Sequence, residues 1–236
     1  MKLDLIDKLL ISKLKKIDKK DHEYYFYKKQ IKELKKDRIE VYTFKKIKNI
    51  LISGKYRGVL ESCFNNIDES LIYNSYLHGF NHNIRVLIHS IILTSLLDLS
   101  EDTLKIVVYA AMYHDIGRVN DTEDKFHGKR SADKISELKL DLTEEQKNIL
   151  MAIVRGHCLP DEEFENVCKE YDIKNIKLCR TLFNILKDSD ALDRVRLEYP
   201  YIKLELLRIN YSLSLVKFAY EFCYNFDGIS EVSLWN

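Results

Sequence analysis

Glycine and proline are scarce, with 7 and 2 in 236 residues. Sheets joined by tight turns need both, so the shortage argues for long helices and few hairpins. Net charge is almost absent: 38 Lys and Arg stand against 37 Asp and Glu, a formal +1. That excludes a global basic field for nucleic acid, and no stable nucleic-acid complex is expected. Long apolar runs are missing. The longest apolar-rich stretch, Val86–Leu97, has 12 residues and contains His89, too short to span a bilayer. The five cysteines (Cys63, Cys158, Cys168, Cys179 and Cys223) are odd in number, widely spaced and without a CxxC. A disulfide framework or cysteine zinc knuckle is not expected, and reduced thiols in a cytoplasmic protein are the simplest reading. GxSxG, GxGxxG and GxxxxGK[ST] do not occur, which removes the nucleophile-elbow, Rossmann and P-loop readings. Met1–Lys20 is charged and amphipathic, unlike a secretory leader.

What remains is an ordinary globular composition, 46% hydrophobic and 32% charged. The charge is split along the chain. Residues 1–50 hold 16 basic and 8 acidic residues, and the other 186 hold 22 and 29. A segment of +8 therefore precedes a body of −7. Leu3, Ile6, Leu9, Leu10, Leu14 and Ile17 recur at helical spacing, and a second helical pattern runs from Tyr24 to Ile52, with a turn near Gly54 and Gly58. Residues 1–55 read as a basic amphipathic extension, and 56–236 as the main bundle. The apolar stripe is expected to dock on the body; a homodimer interface is the alternative.

From residue 70 onward the patterns are helical and no strand is convincing, so the fold class is all-α. Helices are expected over Asn81–Leu97, Leu104–His114 (almost wholly apolar, hence central), Ser131–Leu138, Thr143–Arg155, Asn175–Leu197 and Tyr201–Asn225. Thr143 with Gln146 reads as a capping box, and Gly117 as a helix C-cap. Val119–Gly128 and Leu159–Val167 read as loops.

Six of the seven histidines fall between His78 and His157. Histidine joined by aspartate supplies the imidazole nitrogens and hard oxygens that divalent metals take. His114-Asp115-Ile116-Gly117-Arg118 stands at the end of the central apolar helix, where side chains can be held rigidly. His82-Asn83-Ile84-Arg85-Val86 lies 32 residues before it. Downstream come Phe126-His127-Gly128, Arg155-Gly156-His157 and Lys187-Asp188-Ser189-Asp190-Ala191-Leu192-Asp193-Arg194. Periodicity allows Asp188, Asp190 and Asp193 alike to lie near the core. His78 and His82 share a helical face and form a possible separate pair.

This ordered set resembles the HD-domain superfamily of metal-dependent phosphohydrolases, over about residues 74–200. The resemblance implies an HD-type helical bundle with His82, His114, Asp115 and Asp190 on a first metal. It implies a second metal on His127 and His157, with Asp115 as the bridge. The cofactors would be one or two divalent ions among Mn, Fe, Co, Mg, Ni and Zn. Asp115 and Arg118 are the catalytic candidates, and Arg118, His78 and Lys129 the candidates for touching substrate. Asp193 would pair with Arg194 or orient a metal ligand. The substrate would be a small phosphoester, a nucleotide foremost, and the protein a monomer or homodimer. A non-catalytic nucleotide- or partner-binding module and a di-iron oxygenase are the other functions such a ligand set allows.

Overall fold

The computed structural model describes residues 22–36, 39–42, 47, 50, 57–197 and 202–226. The expected helix over residues 3–17 and the turn at Gly54 lie outside them. The described residues are all-α. They form α1 (His22–Lys36), α2 (Arg57–Asn65), α3 (Phe80–Leu96), α4 (Glu101–Tyr113), α5 (His127–Ser136), α6 (Glu144–Gly156), α7 (Phe164–Glu170), α8 (Ile176–Leu192) and α9 (Asn210–Phe226). A 3-10 turn, Asp193–Arg196, continues α8.

The bundle is built around α4. Ser100 caps its start by accepting from the Thr103 N–H, and Glu101 and Asp102 complement the positive end of its dipole. Every residue from Ile106 to Tyr113 is buried. Such a helix has no solvent face, so neighbours must cover it on all sides. α2, α3, α6 and α8 do so. Each fully buried aliphatic side chain there contributes about 1.5–3 kcal/mol. α3 is pinned to the end of α4 by Asn83, whose Nδ2 donates to the Met112 carbonyl at 2.8 Å. The capping box opens α6 as expected: Thr143 Oγ1 accepts from the Gln146 N–H, and Gln146 Oε1 accepts from the Thr143 N–H. α1 packs on α9, where Tyr220 donates to Gln30 Oε1 and Gln30 donates to the Ile202 carbonyl.

Several expected boundaries move. The Tyr24–Ile52 pattern is interrupted: α1 ends at Lys36, and residues 39–42 are not helical. Gly58 sits inside α2 rather than in a turn. α5 begins at His127, four residues earlier than expected, and Phe164–Glu170 is helical rather than loop. α8 stops at Leu192 because the chain tightens into the 3-10 turn, and α9 starts only at Asn210. Gly117 is not a left-handed cap, since no described glycine has positive φ. It is small because α5 crosses over it: an added Cβ would lie 2.4 Å from both the His127 carbonyl and the Ser131 nitrogen.

Candidate metal centre

The end of α4 is where five segments converge. α3 brings His82 and Arg85 in its first turns, and the residues just before it bring His78. The end of α4 brings His114 and Asp115, α5 brings His127, the end of α6 brings His157, and the last turn of α8 brings Asp190. His82, His114, Asp115, His127 and His157 are buried; Asp190 keeps its side chain 35% exposed.

Hydrogen bonding fixes how the imidazoles face. His114 Nδ1 lies 2.9 Å from the Ala111 carbonyl, His157 Nδ1 lies 2.6 Å from the Val154 carbonyl, and His127 Nδ1 contacts the Asp124 carbonyl. A carbonyl only accepts, so each Nδ1 carries the hydrogen. His82 Nδ1 donates to Asp193 Oδ2 at 2.7 Å. In the neutral rings all four Nε2 atoms then present lone pairs inward. His82 Nε2 and His114 Nε2 are 3.1 Å apart, and His127 Nε2 and His157 Nε2 are 2.8 Å apart. Facing lone pairs repel unless a proton or cation lies between them. Two nitrogens on perpendicular bonds of about 2.1 Å to one ion are about 3.0 Å apart. Burial, reinforced by Arg196, pulls the His82 imidazole down to about 4, which keeps it the neutral ligand form.

Asp115 divides the cluster. Its Oδ2 lies 3.0 Å from His78 Nδ1, 3.7 Å from His82 Nε2 and 3.6 Å from His114 Nε2. Its Oδ1 lies 3.1 Å from His127 Nε2, 3.6 Å from His157 Nε2 and 3.0 Å from Arg118 Nε. Yet Asp115 Oδ1 is buried and accepts no well-formed hydrogen bond. The Arg118 guanidinium neutralises this oxygen only in part, without a well-formed hydrogen bond, which leaves room for a further cation on it. Burial alone would raise the Asp115 carboxyl, but His114, His127, His157 and His78 hold it well below the usual range. The donor set therefore fits divalent metal: His82, His114 and Asp190 form one group of ligand atoms, and His114, Asp115 and His157 another.

The three aspartates of α8 and its 3-10 extension separate by partner. Asp188 accepts from the backbone N–H groups of Arg208 and Ile209 and from Ser212 Oγ, so it caps the start of α9. Asp193 is buried between His82 and Arg85, whose Nε donates at 2.6 Å and Nη2 at 3.2 Å, with Arg196 Nη1 at 3.4 Å. Its ion pairs are with Arg85 and Arg196, not Arg194. Of the three, Asp190 is the one on the Nε2 side of the histidines, its Oδ1 3.4 Å from His82 Nε2. Burial opposes its ionisation, but His82, His114 and Arg196 bring its carboxyl down to about 2.

A cleft of about 430 Å³ opens over the cluster, lined by His78, Arg118, His127, His157, Asp190 and Arg196 among others. Arg118 Nη1 also reaches the Thr122 carbonyl, so the guanidinium is braced against the loop before α5. Lys129 is not there. It is exposed and pairs with Asp133, because α5 starts at His127 and two residues turn the helix about 200° away from the cluster. Arg130 is held by the Gly117 carbonyl and Asp124. His78 and His82 both face Asp115 Oδ2, and the three form a further group of ligand atoms within the same cluster. Sequence reasoning missed Arg196, which donates from Nε to the Leu77 carbonyl, and Cys158, whose thiol groups with His127 and His157.

Residues 79–195 match the family model of the HD domain. No curated protein sequence and no solved structure matches significantly. The matched segment runs from the glycine before α3 to the turn that holds Asp193, and so contains the His82, His114-Asp115 and Asp190 frame. With its all-α bundle and its histidine–aspartate cluster, the protein belongs to the HD-domain superfamily, a family of metal-dependent hydrolase type.

Proposed function

We propose that the protein is a metal-dependent phosphohydrolase acting on a nucleotide or another small phosphoester. The observation that carries the reading is Asp115, whose two oxygens face different pairs of histidines. His82, His114 and Asp190 would hold one divalent ion, His127 and His157 a second, and Asp115 would bridge them. Bound there, the metal supplies Lewis acidity toward a phosphoryl oxygen and lowers the pKa of water.

The chain's own groups do the rest. Asp193 holds the hydrogen of His82 on Nδ1, so that Nε2 stays a lone pair aimed at the cluster. The Ala111, Val154 and Asp124 carbonyls do the same for His114, His157 and His127. Arg118, fixed between Asp115 Oδ1 and the Thr122 carbonyl, stands where negative charge builds on a transferring phosphoryl group. His78 and Arg196 line the same cleft and can donate to phosphate oxygens. These cations favour a phosphorylated substrate over the oxygenase reading, and the wide cleft favours a small molecule over a partner protein.

The test has two parts. Elemental analysis of purified protein should find bound divalent metal, and His114→Ala should have little; equal content in both would refute the ligand set. A panel of nucleotides and phosphoesters with Mn, Mg, Co and Ni should then give hydrolysis that Arg118→Gln slows without loss of metal. Metal-loaded protein inert on the whole panel would refute the activity.

A further inference from the structure

The cleft over the cluster is not the whole cavity. On the far side of Asp190 a second lobe of about 280 Å³ opens between the end of α6, the last turns of α8 and residues 203–208. The two lobes share His157, Cys158, Asp190 and Arg194 as a common wall. Their charges differ. The first lobe sets four cations against four carboxylates. The second sets Lys187, Arg194, Lys203 and Arg208 against Asp190 alone.

Two of those four cations are built into the fold. Lys187 donates to the Leu159 carbonyl and to Asp161, and Arg208 is bound to Asp161 and Asp188. The other two are not. Arg194 Nε is buried with no hydrogen-bond partner, and among the described residues neither Arg194 nor Lys203 has a carboxylate partner for its side chain. Two cations that no carboxylate of the described protein neutralises leave the lobe positive and open to an anion. Arginine binds a phosphate or carboxylate best, through parallel N–H donors.

We infer that the second lobe is a subsite for a second phosphate, held by Arg194 and Lys203 beside Arg208. The substrate is then a compound with two separated phosphates, a nucleoside bisphosphate or a dinucleotide that also carries a terminal phosphate, and not a simple phosphomonoester. Because Asp190 and His157 wall both lobes, a substrate with one phosphate at the cluster can reach past Asp190 and set its other phosphate in the second lobe. The assignment of the first phosphate rests on the proposed function; that of the second rests on the lobe alone.

Inorganic phosphate is the probe. Full-length, metal-loaded protein titrated calorimetrically should bind two phosphates. Arg194→Gln with Lys203→Gln should bind one, with affinity for the other reduced about tenfold or more. Metal content and circular dichroism should not change. The exposed Lys203→Gln alone should show a smaller loss, which covers the case in which the double variant folds poorly. Two events in both proteins, or one event retained by the variant, would overturn the subsite, as would no binding in the wild type. A single event that the variant loses would leave the subsite standing and count against phosphate at the cluster. Adenosine 3′,5′-bisphosphate should also bind about tenfold tighter than adenosine 5′-monophosphate, and the variant should lose that advantage.

Discussion

Replacing Asp193 by asparagine keeps the shape of the side chain and removes one charge from the most enclosed ion pair of the site. Asp193 accepts from Arg85 Nε at 2.6 Å and Nη2 at 3.2 Å and from His82 Nδ1 at 2.7 Å. Arg85 is 1% exposed, so no water can take over. Breaking a buried pair by neutralising one partner costs about 3–5 kcal/mol. The asparagine carbonyl still accepts one bond, which puts the expected loss near the lower figure. Its amide now faces the His82 Nδ1 hydrogen, so His82 favours the other tautomer and turns a hydrogen toward the cluster. Loss of such an orienting partner weakens metal binding by about 10- to 100-fold. Urea unfolding of the chelator-treated protein measures the first effect, and metal titration the second. Arg85→Met combined with Asp193→Asn should recover part of the stability, because the closest buried cation goes with its partner and only Arg196 is left without the carboxylate, but none of the metal affinity. A loss within about 1 kcal/mol, the worth of an exposed pair, would refute the reasoning.

Gly117→Ala should destabilise by several kcal/mol or shift α5 and His127, because the new methyl group meets backbone at 2.4 Å; a melting temperature and metal content like wild type would contradict this. His89 is fully buried between Phe218 and Phe222, with both ring nitrogens unsatisfied. His89→Leu should therefore leave stability unchanged or raise it by about 1 kcal/mol in a denaturant titration. Burial holds His82 and His89 at about 4, against 6.5 for an ordinary histidine. Between those values the unfolded chain binds protons that the metal-free native state refuses, so stability should rise with pH from 4 to 6.5. His89→Leu should flatten that rise; an unchanged slope would exclude His89 as a contributor. Limited proteolysis should spare α1 as long as α9 is folded, and early cuts inside α1 would show that its packing on Tyr220 is weak.

The helical class and the frame of the site were legible because both rest on local signals. The apolar run of α4, the Thr143–Gln146 box and the spacing of His82, His114-Asp115 and Asp190 survive in one dimension. What failed depended on contacts across the bundle. Gly117 looked like a cap, but its size answers to α5 crossing it from ten residues downstream. Lys129 looked close to the site in sequence, but the phase of α5, set by its start at His127, turns it outward. Asp188 and Asp193 were equal rivals of Asp190 until α9 and Arg85 supplied their partners. Arg196 reaches back to the Leu77 carbonyl, a pairing no local pattern announces.

His82 and Asp193 meet across 111 residues of chain, and every other member of the cluster comes from a segment between them or just before. Contacts of such sequence separation form late, after the intervening loops have paid their closure entropy. No fragment ending before α8 can contain the site, however helical it is. During synthesis His114 is oriented early by its own helix, but His82 waits for its partner until the turn after α8 has emerged and packed. Functional competence and completion of the bundle are then one event, and a fraying of α8 on the mature protein would withdraw Asp190 and Asp193 together.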